Sequence, residues 1–190
     1  MKTLITSISI MLFFTIVTGI IYPLLITGIA QIIFPSKSNG SLLIRNGETA
    51  GSVLIGQHFD SMAYFSSRPS HISYNPLPSG GSNLGPTSLM LKNLAEERKL
   101  KFMSVNSLDT LIEVPSEMIF ASASGLDPHI SPEAALLQTG RIMNYRNFTI
   151  EQKKELTKII ADLTEEPQFR FLGDRRINVF LLNLYLDSIK

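Results

Sequence analysis

The chain has 190 residues, 44% of them hydrophobic, with no cysteine and a formal net charge of +1. That length accommodates one modest domain plus an anchor. The even charge removes the electrostatic reason for a nucleic-acid partner, because phosphate binding needs a basic surface. The missing cysteines exclude a disulfide framework and thiolate metal sites.

Mean hydropathy is +0.18, and the apolar excess sits largely in the first 34 residues. Lys2 is the one charged residue before Lys37, which leaves 16 of the 17 basic residues against all 16 acidic ones in the remainder. From Thr3 to Ser36 no side chain is charged. A bilayer core about 30 Å thick needs roughly 20 apolar helical residues, and this run is longer, so a tilted helix or one emerging into the interface is expected. Gly28 and Ala30 stand at the spacing of a signal-peptide cleavage site, but the run before them exceeds the usual apolar region of about 7–15 residues. A retained anchor is therefore the better reading. Gly19, Pro23 and Gly28 are tolerated in membrane helices and could admit a partner helix closely. Lys2 on one flank is offset by Lys37 and Arg45 on the other, so the positive-inside rule does not decide orientation.

Residues 1–36 thus read as a transmembrane anchor with its flanks, and 37–190 as a soluble accessory domain. Ser36 to Gly40 is a short linker. Leu42 to Ile44 and Ser52 to Ile55 are β-type runs separated by Asn46-Gly47, a hairpin-turn pair. Arg68 to Pro86 is long and rich in Pro and Gly, as functional or disordered loops are, and Tyr64, Phe65 and Tyr74 argue against disorder. Pro86 suits a first helical position, ahead of Leu91, Leu94 and Ala95. Ser131-Pro132 opens a second helix with Ala135, Leu136, Ile142 and Met143 on one face. Thr149 and Gln152 form a capping box, followed by Leu156, Ile159, Ile160 and Leu163 at helical spacing. Ile177 to Leu186 is apolar nearly throughout and fits a strand running into a terminal helix, though length and composition do not separate the two. The expected fold is α/β or α+β: a single N-terminal transmembrane helix, then one compact mixed domain with a small sheet.

Three groups of residues invite chemistry. Ser79-Gly80-Gly81-Ser82-Asn83 could cradle phosphate through glycine-permitted approach and successive backbone amides, yet no P-loop spacing and no following lysine are present. A turn-rich loop packed on a partner is the simpler account. Ser124, Asp127 and His129 supply nucleophile, base and orienter by type, but within six residues, whereas triads converge from distant segments. His58, His71 and His129 are the only histidines, and none is paired at metal-ligand spacing. One span cannot enclose a pore, so the chain does not conduct ions alone.

Several segments carry a family resemblance in the right order along almost the whole chain. They are Leu54-Ile55-Gly56-Gln57-His58-Phe59, Tyr64-Phe65, Arg68-Pro69-Ser70, Tyr74-Asn75-Pro76 and Ser79 to Leu84. Ala121 to Pro132 and Asn178 to Asp187 follow, and Tyr22-Pro23-Leu24 at the anchor's end fits as well. Together they resemble the C chain of the potassium-transporting ATPase of the Kdp type, the KdpC family. The resemblance implies a complex with a P-type ATPase subunit, a channel-like potassium-translocating subunit and a small single-span subunit in a bacterial inner membrane. That complex performs ATP-driven, high-affinity potassium uptake. It also implies a catalytic chaperone that raises the ATPase subunit's affinity for ATP, with Ser79, Gly80, Gly81, Ser82, Asn83 and Gln138 as the ATP-binding positions. ATP would then be a cofactor through the complex, and this chain would bind no metal. The same resemblance implies an assembly role, with the domain packed on the channel-like subunit at the outer face. The two roles put the domain on opposite sides of the membrane. Outside the family, a membrane-tethered hydrolase using Ser124 or His129, or an extracytoplasmic binding module, would share the same outline.

Overall fold

The computed structural model describes residues 1–45 and 47–189. The chain divides into two compact units, Met1–Ser52 and Val53–Lys190.

The first unit is dominated by one apolar helical run, Lys2–Ile33, of mean hydropathy 2.3. It comprises α1 (Lys2–Ile16), a π turn at Val17–Ile21 and α2 (Tyr22–Ile33). Pro23 accounts for the wide turn. It lacks an N–H for the carbonyl four residues back, and its ring crowds that carbonyl, so the ladder is locally rearranged. The amide of Tyr22 reaches back five residues to the carbonyl of Val17. The hydroxyls of Thr6, Ser7, Thr15 and Thr18 each donate to the carbonyl four residues earlier, so those four hydroxyls do not face hydrocarbon unpaired. Every Leu, Ile, Phe and Met of α1 and α2 is exposed, Ile26 least at 44%. Such a surface belongs against lipid or other helices.

Phe34 breaks the helix, and the single turn α3 (Pro35–Ser38) follows where a linker was expected. Asn39 closes it, bonding the Gln31 side chain in both directions at 3.1 Å and the Pro35 carbonyl at 2.7 Å. Strands β1 (Leu42–Arg45) and β2 (Glu48–Ser52) form an antiparallel hairpin with an irregularity at Leu43/Ile44. The second strand therefore lies earlier than the Ser52–Ile55 expected, because the chain leaves the hairpin at Ser52. The expected Asn46-Gly47 turn includes Asn46, which lies outside the described residues; Gly47 takes φ +85.

The second unit carries α4 (Leu89–Val105), α5 (Pro132–Tyr145), α6 (Ile150–Asp162) and α7 (Val179–Leu186). A two-stranded ladder of β3 (His129–Ile130) and β4 (Ile177–Asn178) joins them. Helix α4 begins three residues after Pro86, because Ser88 accepts from the Leu91 amide and so supplies the cap. Helix α5 starts as expected, with Ser131 capping the Ala134 amide and Pro132 in the first turn. Ala135 and Ile142 are buried and Met143 partly so, but Leu136 is 48% exposed and lies off that face. The capping box of Thr149 and Gln152 is complete. Leu156 and Ile160 are buried, with Ile159 and Leu163 packed against the core. Burial of one such side chain contributes about 1.5–3 kcal/mol. The ambiguous segment at the C-terminus is two residues of strand and then a helix. Asn178 accepts from the Leu181 amide and starts α7, whose Val179, Phe180, Leu182 and Leu186 are buried.

Candidate functional site

The long segment between β2 and α4 has little regular structure, and side chains hold it in place. Met62 and Ala63 lie in a turn closed by the Tyr64 amide on the Ser61 carbonyl at 3.1 Å, and Phe65 beyond it is fully buried. Buried backbone needs hydrogen-bond partners, and here none comes from a strand. Asn183 of α7 accepts from the Phe65 amide at 2.8 Å and donates to its carbonyl at 2.9 Å. Gln138 of α5 accepts from the Ser66 amide at 2.8 Å and donates to the carbonyls of Ser66 and Ala134 at 3.4 and 3.2 Å. Arg141 donates to the carbonyls of Met62 and Tyr64, to Asn106 Oδ1 at 2.9 Å and to Gln138 Oε1 at 3.1 Å. Burial lowers the Arg141 pKa. Arg146 donates to the Ala63 carbonyl, pairs with Asp187 at 2.9 Å and lies 4.8 Å from the centre of the Tyr64 ring.

Beyond this clamp the chain reaches Arg68, whose guanidinium meets Asp127 at 2.8 Å. Asp127 also accepts from the His129 amide at 3.0 Å, and the imidazole Nδ1 lies 3.3 Å from the same oxygen. Burial opposes ionisation of Asp127, but these donors outweigh it and bring its pKa from 3.8 down to about 2. Tyr74 donates its hydroxyl to the Arg68 carbonyl, and burial pushes that phenol up to about 12. Two open grooves flank Arg68. One, of about 680 Å³, is lined by Glu117, Asp127, His129, Ser131 and Arg176 among others. The other, of about 360 Å³, includes His58, Tyr74, Arg98 and Asn106. The Nε of Arg68 is buried without a hydrogen-bond partner among the described residues.

A depressed carboxylate pKa has a definite consequence for acid stability. The stabilisation from Asp127 is complete above its ordinary value near 4 and is lost as pH falls through about 2. Acid titration of the full chain in detergent should therefore show roughly 2 kcal/mol of stability lost between pH 4 and pH 2 through this group. In Asp127→Asn that part of the slope should vanish. An unchanged slope would mean that the pairing with Arg68 and His129 contributes nothing.

The ATP-binding positions implied by the resemblance lie in two different settings. Ser79 and Asn83 are exposed, and Asn83 takes φ +53. The Gly80 amide donates to the Ser124 carbonyl at 3.0 Å. A Cβ on Gly81 would sit 3.1 Å from the Ala123 carbonyl, so this loop lies flat on residues 123–124. Ser82 lies half-buried beside Gly81. Gln138 is fully buried and its amide is engaged as described. Neither groove is lined by Ser79–Asn83 or Gln138.

The hydrolase grouping is likewise absent as a machine. Ser124 accepts from the Leu126 amide at 3.1 Å in a turn, and no hydroxyl bonds His129 among the described residues. The Asp127 carboxylate serves Arg68 and the turn before β3. Ser124→Ala should leave the growth of cells that depend on this chain unchanged. Loss of growth with the domain still folded would restore a nucleophilic role. His58 is exposed and lies 3.0 Å from Asp60. No group of three or more His, Asp or Glu side chains able to hold a metal occurs among the described residues.

Comparison with known proteins decides the family. The model of the KdpC family, described as K+-transporting ATPase, c chain, matches residues 4–188. The potassium-transporting ATPase KdpC subunit of Geobacter sulfurreducens is 44% identical over 194 residues, covering 100% of this chain and 99% of that one. The corresponding subunit of Dechloromonas aromatica is 42% identical over 193 residues, covering 100% and 99%. That of Mycobacterium tuberculosis is 40% identical over 190 residues, covering 99% of each.

The chain belongs to the KdpC family.

For a KdpC-family chain the residues that composition alone did not single out are Arg141, Asn106 and Arg146. A usable signal existed. Gln138 and Arg141 fall on the same helical face as Ala134, Ala135 and Ile142, and a polar side chain on an apolar face needs a buried partner.

Proposed function

We propose that this chain is an accessory, non-catalytic subunit of an ATP-driven, high-affinity potassium importer in a bacterial inner membrane. Its partners are a P-type ATPase subunit, a channel-like translocating subunit and a small single-span subunit. The observation that carries the reading is the helix Lys2–Ile33, whose most apolar stretch has none of its residues buried within the chain. A surface of that kind is covered by lipid and by partner helices. The family and the names of the full-length relatives support the potassium assignment.

On this reading the domain stands at the outer face and stabilises the assembly. The catalytic-chaperone effect on ATP affinity then acts through the assembled complex. Gln138 favours that route, because contact with a nucleotide would require it to release Ser66 and Arg141. Ser79–Asn83 would likewise have to leave residues 123–124.

The orientation is tested by introducing Lys154→Cys, an exposed position on α6 in a chain without cysteine. A membrane-impermeant thiol reagent should label it in intact cells. Labelling only after permeabilisation would place the domain inside and favour direct nucleotide contact.

A further inference from the structure

Between α6 and β4 the chain folds out as a narrow finger. Glu165 and Arg176 exchange backbone hydrogen bonds of 2.8 and 3.1 Å, and Gln168 and Leu172 exchange bonds of 3.0 and 2.9 Å. Ion pairs Arg176–Glu165 at 2.9 Å and Arg175–Glu166 at 3.0 Å brace the stem. At the tip, Phe169 takes φ +54 and Arg170 φ +69. Two consecutive positive φ values mark the tight hairpin turns that Asn and Gly fill most readily. A bulky side chain there is strained.

The strain is not offset by packing within the domain. Phe169 is 80% exposed, Phe171 76% and Leu172 51%. The two rings lie 6.4 Å apart, and Arg170 between them is exposed as well. Strained conformations that persist without local gain point to a use outside the fold.

We propose that this tip inserts into the interfacial zone of the bilayer, with Phe169, Phe171 and Leu172 at the acyl boundary and Arg170 at a lipid phosphate. Three features select a bilayer as the occupant. The second unit is covalently tied to a membrane helix through residues 34–52, which span at most about 65 Å when fully extended. The bilayer surface is thus always within reach of the domain. Aromatic rings interleaved with a guanidinium are the composition that settles at the headgroup level. Both stem glutamates are held by arginines, so they do not confront lipid phosphate unpaired. The inference rests on the anchored reading above but holds for either orientation.

The test uses the full chain reconstituted into vesicles of phosphatidylcholine with phosphatidylglycerol. A polarity-sensitive dye is placed at Phe171→Cys, with Lys154→Cys as the control. The dye at Phe171→Cys should shift to the blue and be quenched by shallow spin-labelled lipid, and the control should do neither. Adding Phe169→Ser and Leu172→Ser should lower the inserted fraction about tenfold. Arg170→Gln should lower it about fivefold in the anionic vesicles and not in pure phosphatidylcholine. A water-exposed dye on a chain that resists alkaline carbonate extraction would overturn the proposal. Protection appearing only when partner subunits are co-reconstituted would also overturn it, in favour of a protein contact. A chain extracted by carbonate would overturn the anchored reading and this one with it.

Discussion

Arg141→Ala should destabilise the domain by about 3–5 kcal/mol, enough to unfold a chain of ordinary stability. The side chain is 8% exposed, and its guanidinium serves four acceptors, the carbonyls of Met62 and Tyr64, Asn106 Oδ1 and Gln138 Oε1. Truncation strands the Met62, Tyr64 and Asn106 oxygens, at about 1–3 kcal/mol for each left unpaired, while Gln138 Oε1 keeps the Ser66 amide. It also removes the side chain that fills the space between α5 and residues 62–64. The penalties will not add in full, because Gln138 can relax, so the lower sum is the safer expectation. Urea unfolding of the full chain in detergent, followed by circular dichroism, measures it. Arg141→Lys should fall between, keeping a charge but losing the fork that reaches several acceptors. A variant Arg141→Ala within about 0.5 kcal/mol of the parent would show that the clamp on residues 62–67 is dispensable.

Gly56→Ala should cost toward the upper end of about 1–3 kcal/mol and loosen the Arg68–Asp127 pair. Gly56 is buried, and its amide donates to the Leu126 carbonyl at 2.7 Å. A Cβ there would lie 2.7 Å from the Asp127 carbonyl oxygen and 3.1 Å from Tyr74 Cε1. The first contact is with backbone two residues ahead of β3, so the approach to that strand must move. Gly80→Ala is the matched control, because nothing lies within 4 Å of its added Cβ. Thermal unfolding and the acid titration described above should both respond to Gly56→Ala, and neither to Gly80→Ala. Equal behaviour of the two variants would remove close packing as the reason for glycine at position 56.

Much of the fold was legible because its signals are local. An uncharged apolar run announces a membrane helix, and Thr149 with Gln152 announces α6 within four residues. Ser88 was overshadowed by Pro86, a competing start signal two residues earlier. The π turn was not legible, since Pro23 marks a disturbance without specifying its form. Ile177 to Leu186 divided between strand and helix because burial on all sides erases periodicity in either state. The site was harder. Phe65 is joined to a residue 118 positions away and Ser66 to one 72 away, and no local pattern encodes such pairings. Gln138 is marked in the sequence only by the family resemblance. The core position it occupies followed only from the structure, although the apolar neighbours Ala134, Ala135 and Ile142 already hinted at burial.

The way residues 62–67 are held has a consequence for how the sequence can drift. Asn183, Gln138, Arg141 and Arg146 bond the main chain of that segment, and a peptide group is the same whatever side chain it carries. Side chains at positions such as Met62, Ala63 and Ser66 are therefore open to substitution in a way that the polar residues gripping them are not. Proline is the exception at Ala63, Tyr64, Phe65 and Ser66, whose amides are donors. The strongest constraint on this segment is written outside it, in two helices far along the chain.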